Sequence, residues 1–145
     1  MAWLTGVVNR QQGHLEEAEK NFRKVLEDST EEMRRRGFDF SKDYEVINLL
    51  GETLFDRGKQ LRSESSEPER LEFFRQAVET FHRTLSLDSE NATAHHNLHL
   101  LYAQLGDKDK AEHHRQLHSR YKPDDNARDR AITSRQRRKH WSASS

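Results

Sequence analysis

Nine histidines stand in a chain without a single cysteine, and six of them fall in two short stretches. His95, His96 and His99 form one group; His113, His114 and His118 form the other. His95 with His99, and His114 with His118, have the four-residue spacing that sets two imidazoles on one face of a helix, as in helical zinc or nickel sites. The remaining parts of a metalloenzyme are missing: no Asp or Glu accompanies these pairs in a motif, and His-Glu-x-x-His does not occur. We therefore read the histidines as structural or solvated, expect no metal and no cofactor, and expect a helix seam that responds to acid rather than a catalytic centre; a metal-binding module built on His95, His99, His114 and His118 is an alternative.

Other reactive groups are equally plain. Glu16 with Lys20, and Glu19 with Arg23, are spaced for ion pairing along a helix surface, which accounts for them without chemistry. There is no glycine-rich phosphate loop and no Gly-x-Ser-x-Gly, so no enzyme is expected. Missing cysteine excludes disulfides, thiolate zinc, iron–sulfur ligation, covalent haem and thiol nucleophiles within the sequence. Near the end, Arg135, Arg137, Arg138, Lys139 and His140 with Trp141 offer phosphate contacts beside a stacking ring, which makes nucleic-acid or anionic-surface binding an alternative. A basic helix C-terminus explains the same residues through the helix dipole, so nucleic acid is not the expected partner.

These groups need elements to hold them. Apolar residues make up 32% of the 145 and charged residues 34%, against typical values of about 45–50% and about 25%. Such a chain has no material for a thick core and must bury its apolar groups along thin seams. Positive and negative residues balance at 25 each, but residues 1–123 carry 19 basic and 22 acidic groups, while 124–145 carry 6 and 3. No apolar run approaches the ~20 residues of a membrane span. The segment from Met1 to Asn9 has no basic leader, so the sequence reads as cytoplasmic as written, and as periplasmic if it is a piece of a larger secreted protein.

Leu15, Ala18, Phe22, Val25, Leu26 and Met33 recur at helical spacing, as do Phe74, Ala77, Val78, Phe81 and Leu85. Glycines, proline and cap residues divide the rest: Gly13, Gly37, Ser41 and Asp43, Gly106-Asp107, Pro123-Asp124, and Ser66-Glu67-Pro68-Glu69 with a capping box. The expectation is an all-α chain with helices over about 2–11, 15–36, 43–64, 67–87, 92–105, 108–120 and 124–138.

The helices repeat as pairs. Gly13 precedes Ala18 by five residues, as Gly106 precedes Ala111; Gly6 and Gly51 stand seven residues before Gly13 and Gly58, and His99 stands seven before Gly106. Ala77 to Ala111 and Phe81 to Arg115 are each 34 residues. This pattern resembles the tetratricopeptide repeat, a 34-residue helix-turn-helix, with Leu98, Tyr102, Gly106, Ala111 and Pro123 at the signature places of the last copy. The first copy offers Gly6, Gly13, Ala18 and Phe22, and the middle one Leu50, Gly51, Gly58, Ala77 and Phe81. The last copy departs from the pattern where His99 replaces a glycine and Arg115 an aromatic. Gly6 to Gly51 is 45 residues and Gly58 to Gly106 is 48, so 11 extra residues lie between the first two pairs and 14 inside the second. Both insertions keep the apolar face in phase, which predicts elongated central helices projecting beyond the solenoid.

The resemblance implies an α-solenoid of three helix pairs, at about 1–36, 43–87 and 92–123, with a capping helix and basic end over 124–140 and a disordered tail over 141–145. It implies a non-catalytic interaction scaffold that takes a peptide or protein segment in its concave groove. The family's groove places fall on Trp3, Val7, Arg10 and Gln11 in the first pair; on Glu45, Asn48, Glu52, Phe55 and Asp56 in the second; and on Thr93, His96, Leu100, Ala103 and Gln104 in the third. From these we take Asn48, Glu52, Phe55, Asp56, His96, Leu100 and Gln104 as the site, its acidic middle suited to a basic or amphipathic partner. A subgroup of the family grips chaperone C-termini with a Lys, Asn and Arg clamp; Trp3, Val7, Asn48 and Glu52 stand at those places, so that reading is not adopted. By the same resemblance His95, His99 and His118 pack between helices, and projecting helices meet a partner or a second copy, giving a homo-oligomer. The stretch from Tyr121 to Ala131 also resembles the end of repeat regions in bacterial proteins that join multihaem cytochrome c parts to such repeats.

Overall fold

The computed structural model describes residues 2–28, 35 and 43–122. Among these the chain is all helical: α1 (Ala2–Gln11), α2 (Leu15–Glu27), α3 (Tyr44–Gln60), α4 (Glu67–Leu87), α5 (Ala92–Leu105) and α6 (Lys108–Tyr121), with a short 3-10 turn at Glu64–Ser66 before α4. Each helix packs on its neighbours in sequence, most closely as the pairs α1–α2, α3–α4 and α5–α6. The result is a solenoid-like stack of three pairs. No helix among the described residues is long and apolar enough to cross a membrane.

Local chemistry sets most boundaries. Asp43 caps α3 by accepting from the Glu45 N–H, Asn91 caps α5 through Ala94, and Asp107 caps α6 through Lys110. Gly13 and Gly106 end α1 and α5 in the left-handed region, at φ 81° and 83°, where a side chain would be strained. At the first of these turns His14 N–H reaches back to the carbonyl of Asn9, and at the second Asp107 N–H reaches that of Tyr102.

Two helices are shorter than their spacing suggests. The helix expected over 15–36 stops at Glu27, where Asp28 N–H closes the last turn on the Lys24 carbonyl. Asp28 carries a side chain that competes for backbone hydrogen bonds and favours helix ends. The helix expected over 43–64 stops at Gln60, because Leu61 turns back onto the Gly58 carbonyl and Ser63, Ser65 and Ser66 bond one another through their hydroxyls. The Ser66 hydroxyl is thereby taken, and the capping box does not form, although α4 begins where expected with Pro68 in its first turn. The 14 inserted residues thus do not divide evenly. Relative to the 14-residue helices of the third pair, α3 gains three and α4 gains seven, and the connection takes the other four. The middle pair is still the longest. Met33 and the helix expected over 124–138, with the basic cluster behind it, lie outside the described residues.

The core is one continuous cluster. Phe22, Ile47, Leu54, Phe74, Phe81, Leu98 and Leu101 are all but sealed from solvent. Glycines let the helices close on these rings. A Cβ added at Gly6 would sit 2.7 Å from the Phe22 ring, and one at Gly51 would sit 2.7 Å from Phe81, so each aromatic of the second helix occupies the space that the glycine leaves on the first. Gly58 does the same for Phe74, at 2.6 Å.

Ion pairs tie successive helix pairs together. Glu19 on α2 accepts from Arg23 at 3.0 Å and from Arg57 of α3 at 2.8 Å, while the Arg57 guanidinium lies 4.6 Å from the centre of the Phe73 ring. The sequence shows only the first of these contacts, because Arg57 is 38 residues away.

Candidate functional site

A cavity of about 480 Å³ opens between α1, α3, α5 and the end of α6. One wall carries Arg10, Glu52, Phe55, Asp56 and Lys59; the other carries Thr93, His96 and Asn97 with His118 and Lys122. Glu52, Phe55 and Asp56 reach it together because positions 52, 55 and 56 share one face of α3. Thr93, His96 and Asn97 do the same on α5.

The first wall is a charge network. One Arg10 Nη2 binds Glu52 at 3.3 Å and Asp56 at 3.2 Å, and Lys59 Nζ holds the other Asp56 oxygen at 3.2 Å. Lys59 also lies 4.4 Å over the Phe55 ring, itself buried at the base of this wall. Burial pushes the Glu52 carboxyl above its ordinary value against the pull of the Arg10 guanidinium, and the Asp56 charge adds to the rise. Arg10 Nε is buried with no hydrogen-bond partner among the described residues. The opposite wall has Lys122, two imidazoles and no acid. The His96 and His118 rings meet at 4.8 Å, and His118 Nδ1 donates to the Ala92 carbonyl. Burial, then the nearby His118, His99 and Lys122, push His96 below its ordinary value.

Of the expected site residues, Glu52, Phe55, Asp56 and His96 line this cavity. Asn48 is elsewhere: it is buried, donates to Asn91 Oδ1 at 3.1 Å and accepts from the Thr84 hydroxyl at 2.8 Å, joining α3 to α4 and to the cap of α5. The resemblance implies a groove place for it, but its amide turns into the helix seam, where two polar partners satisfy it. Leu100 and Gln104 sit further along α5, exposed and outside the cavity lining. Lys59, Asn97, His118 and Lys122 line the cavity without having been expected there. For Lys59 and Asn97 the signal was present, since each is one helical step from a chosen neighbour; His118 and Lys122 come from the second helix of their pair, which a groove built from first helices overlooks.

The four histidines of metal-like spacing do not converge. His95 pairs with His114, His99 donates to the Ala111 carbonyl at 3.0 Å, and His118 donates to Ala92. Carbonyl oxygens only accept, so the bonds to Ala111 and Ala92 put the ring proton of His99 and of His118 on Nδ1 and fix those tautomers. No group of three or more His, Cys, Asp or Glu able to hold a metal occurs among the described residues.

Among the described residues, fold and cavity together make an all-α, solenoid-like stack of helix pairs with a polar, charge-lined recess. No protein-family model matches the chain, and comparison with curated proteins gives no match.

Proposed function

We propose that the chain is a tetratricopeptide-type interaction module that holds a peptide or protein segment in the recess between its first, second and third helix pairs. The observation that carries this reading is the recess's partly compensated polar floor. Arg10 Nε keeps a buried N–H without an acceptor, and Glu52 is desolvated beyond what Arg10 and Lys59 offset. Buried polar groups left open by a fold are the groups a ligand satisfies. The segment that fits brings an acceptor for Arg10 and a basic side chain near Glu52, as a basic or amphipathic segment would. The repeat spacing and the glycine–phenylalanine contacts support the family, and the charge network supports the site. The role we propose is binding without catalysis.

The test is capture of partners from the source organism on immobilised protein, compared with a Glu52→Lys plus Asp56→Lys variant whose helicity is checked by circular dichroism. Partners held by the parent and lost by the folded variant are the expected result. A folded variant that retains them undiminished sinks the groove assignment.

A further inference from the structure

A stack of rings closes the third helix pair onto α4. His114 of α6 lies against Tyr102 of α5 at 5.5 Å and 12°, and against His95 of α5 at 5.2 Å and 28°. It also meets His82 of α4 edge-on at 5.8 Å, and Tyr121 packs on His95 at 5.7 Å. His114 and His95 are buried.

The hydrogen bonds dictate where protons sit. His95 Nε2 lies 2.9 Å from the Ser89 carbonyl, which can only accept, so Nε2 carries the proton and a neutral His95 presents a bare Nδ1. His114 Nδ1 lies 2.9 Å from that Nδ1 and must donate to it. A first added proton, on His114 Nε2, leaves this bond intact but places a cation within the stack. A second, on His95 Nδ1, sets two N–H groups face to face at 2.9 Å, and the bond is lost. The titratable and charged groups facing the pair are His82 from α4, Tyr102 from α5, and Lys110, His113 and Tyr121 from α6. No carboxylate is among the groups whose charge bears on His114. Asp107 acts on Tyr102 and pairs with Lys110 rather than with His114, so the charges that bear on His114 are all positive and favour its neutral ring.

We propose that the His95–His114 contact is a proton-operated latch: acidification separates α6 from α5 while the two preceding helix pairs stay packed. In keeping with the geometry, burial and the neighbouring His95, His82 and His113 push His114 down to about 4. His82 is lowered in the same way by burial, Lys110 and His95. Because α6 also carries His118 and leads into Lys122, opening the latch would remove one wall of the recess. That consequence rests on the binding reading above. The latch itself is measured without a ligand, so the two can fail separately.

The experiment is amide hydrogen exchange on the full chain between about pH 7.5 and about pH 3.5, corrected for intrinsic rates, alongside imidazole nitrogen shifts. The expected result is that protection in α6 falls at least roughly tenfold relative to α2 as the His95–His114 bond is lost. In His114→Phe, which keeps a ring in the stack but cannot take a proton, the ratio should stay constant. Should that variant not fold, His114→Gln supplies a neutral donor for the same comparison, and the wild-type imidazole shifts decide independently. A constant α6-to-α2 ratio in the wild type, or two doubly protonated rings with α5 and α6 still packed, overturns the proposal.

Discussion

The first two helix pairs and the third solve the same packing problem with opposite materials. In the first two, a glycine on the leading helix admits a phenylalanine from the following one: Gly6 takes Phe22, and Gly51 takes Phe81. At the corresponding places the third pair has His99 and Arg115. The bulk has moved to the leading helix, where His99 anchors itself on the Ala111 carbonyl, and Arg115 turns outward to pair with Glu112. What the third pair loses in apolar contact it regains further along as stacked rings around His114. An apolar interlock is indifferent to pH, whereas a polar ring stack is not. One architecture therefore contains two seams that should answer to different perturbations.

The largest expected effect breaks the apolar seam. Phe81→Ala empties a fully buried site and should cost about 3–5 kcal/mol in urea unfolding, while Arg115→Ala, at the same repeat place, should leave the unfolding midpoint nearly unchanged. Equal losses at the two positions would abolish the distinction. Next comes acid. The folded value of His114 lies below its unfolded one, so the unfolded chain takes the proton first; the stabilisation is full above about pH 6.5 and is lost as pH falls toward about 4. The loss attributable to this residue should be on the order of 2 kcal/mol, read as the difference between wild type and His114→Phe in unfolding measured across that range.

How much of this was legible follows from the range of each interaction. Helix starts at Asp43, Asn91 and Asp107, and the turns at Gly13 and Gly106, are local events written within three or four residues, and the sequence shows them. Helix ends at Glu27 and Gln60 were overrun, because good helix formers beyond them conceal the competition from Asp28 and from the serine hydroxyls. At the site, the groove places implied by the resemblance fall on Glu52, Phe55 and Asp56, which share one face of α3 and line the recess. The resemblance does not show that Asn48 has two buried partners from other elements, nor that Arg10, more than 40 residues away, bridges Glu52 and Asp56. The histidines illustrate the same limit: four-residue spacing identifies a shared helix face, but only the packing of α6 on α5 shows which rings meet.

A third test sharpens the apolar side of the comparison. Gly51→Ala adds one methyl, and in an open helix alanine would be favoured over glycine by about 1 kcal/mol. Here that methyl would enter the Phe81 ring at 2.7 Å, so overpacking should win and leave a net cost of about 1–2 kcal/mol. Combining Gly51→Ala with Phe81→Leu should recover part of that loss, since both act on one contact. Strict additivity in the double variant would mean that the two residues do not interlock.

The smallest effect separates glycines that share a repeat place. Gly13, Gly58 and Gly106 each stand seven residues after a Gly6-equivalent position, yet they do different work. Gly13 and Gly106 have positive φ and nothing within 4 Å of an added Cβ, so backbone conformation alone requires them. Gly58 lies within α3, where the helix runs two residues further, and its missing Cβ is what Phe74 needs. Asparagine tolerates the left-handed region, so Gly106→Asn should cost only about 0.5–1 kcal/mol. Gly58→Asn would instead force a side chain against an aromatic ring and should cost clearly more. If both replacements cost the same, the middle pair's glycine is a turn residue like the others, and the extension of α3 through that place would have to be given up.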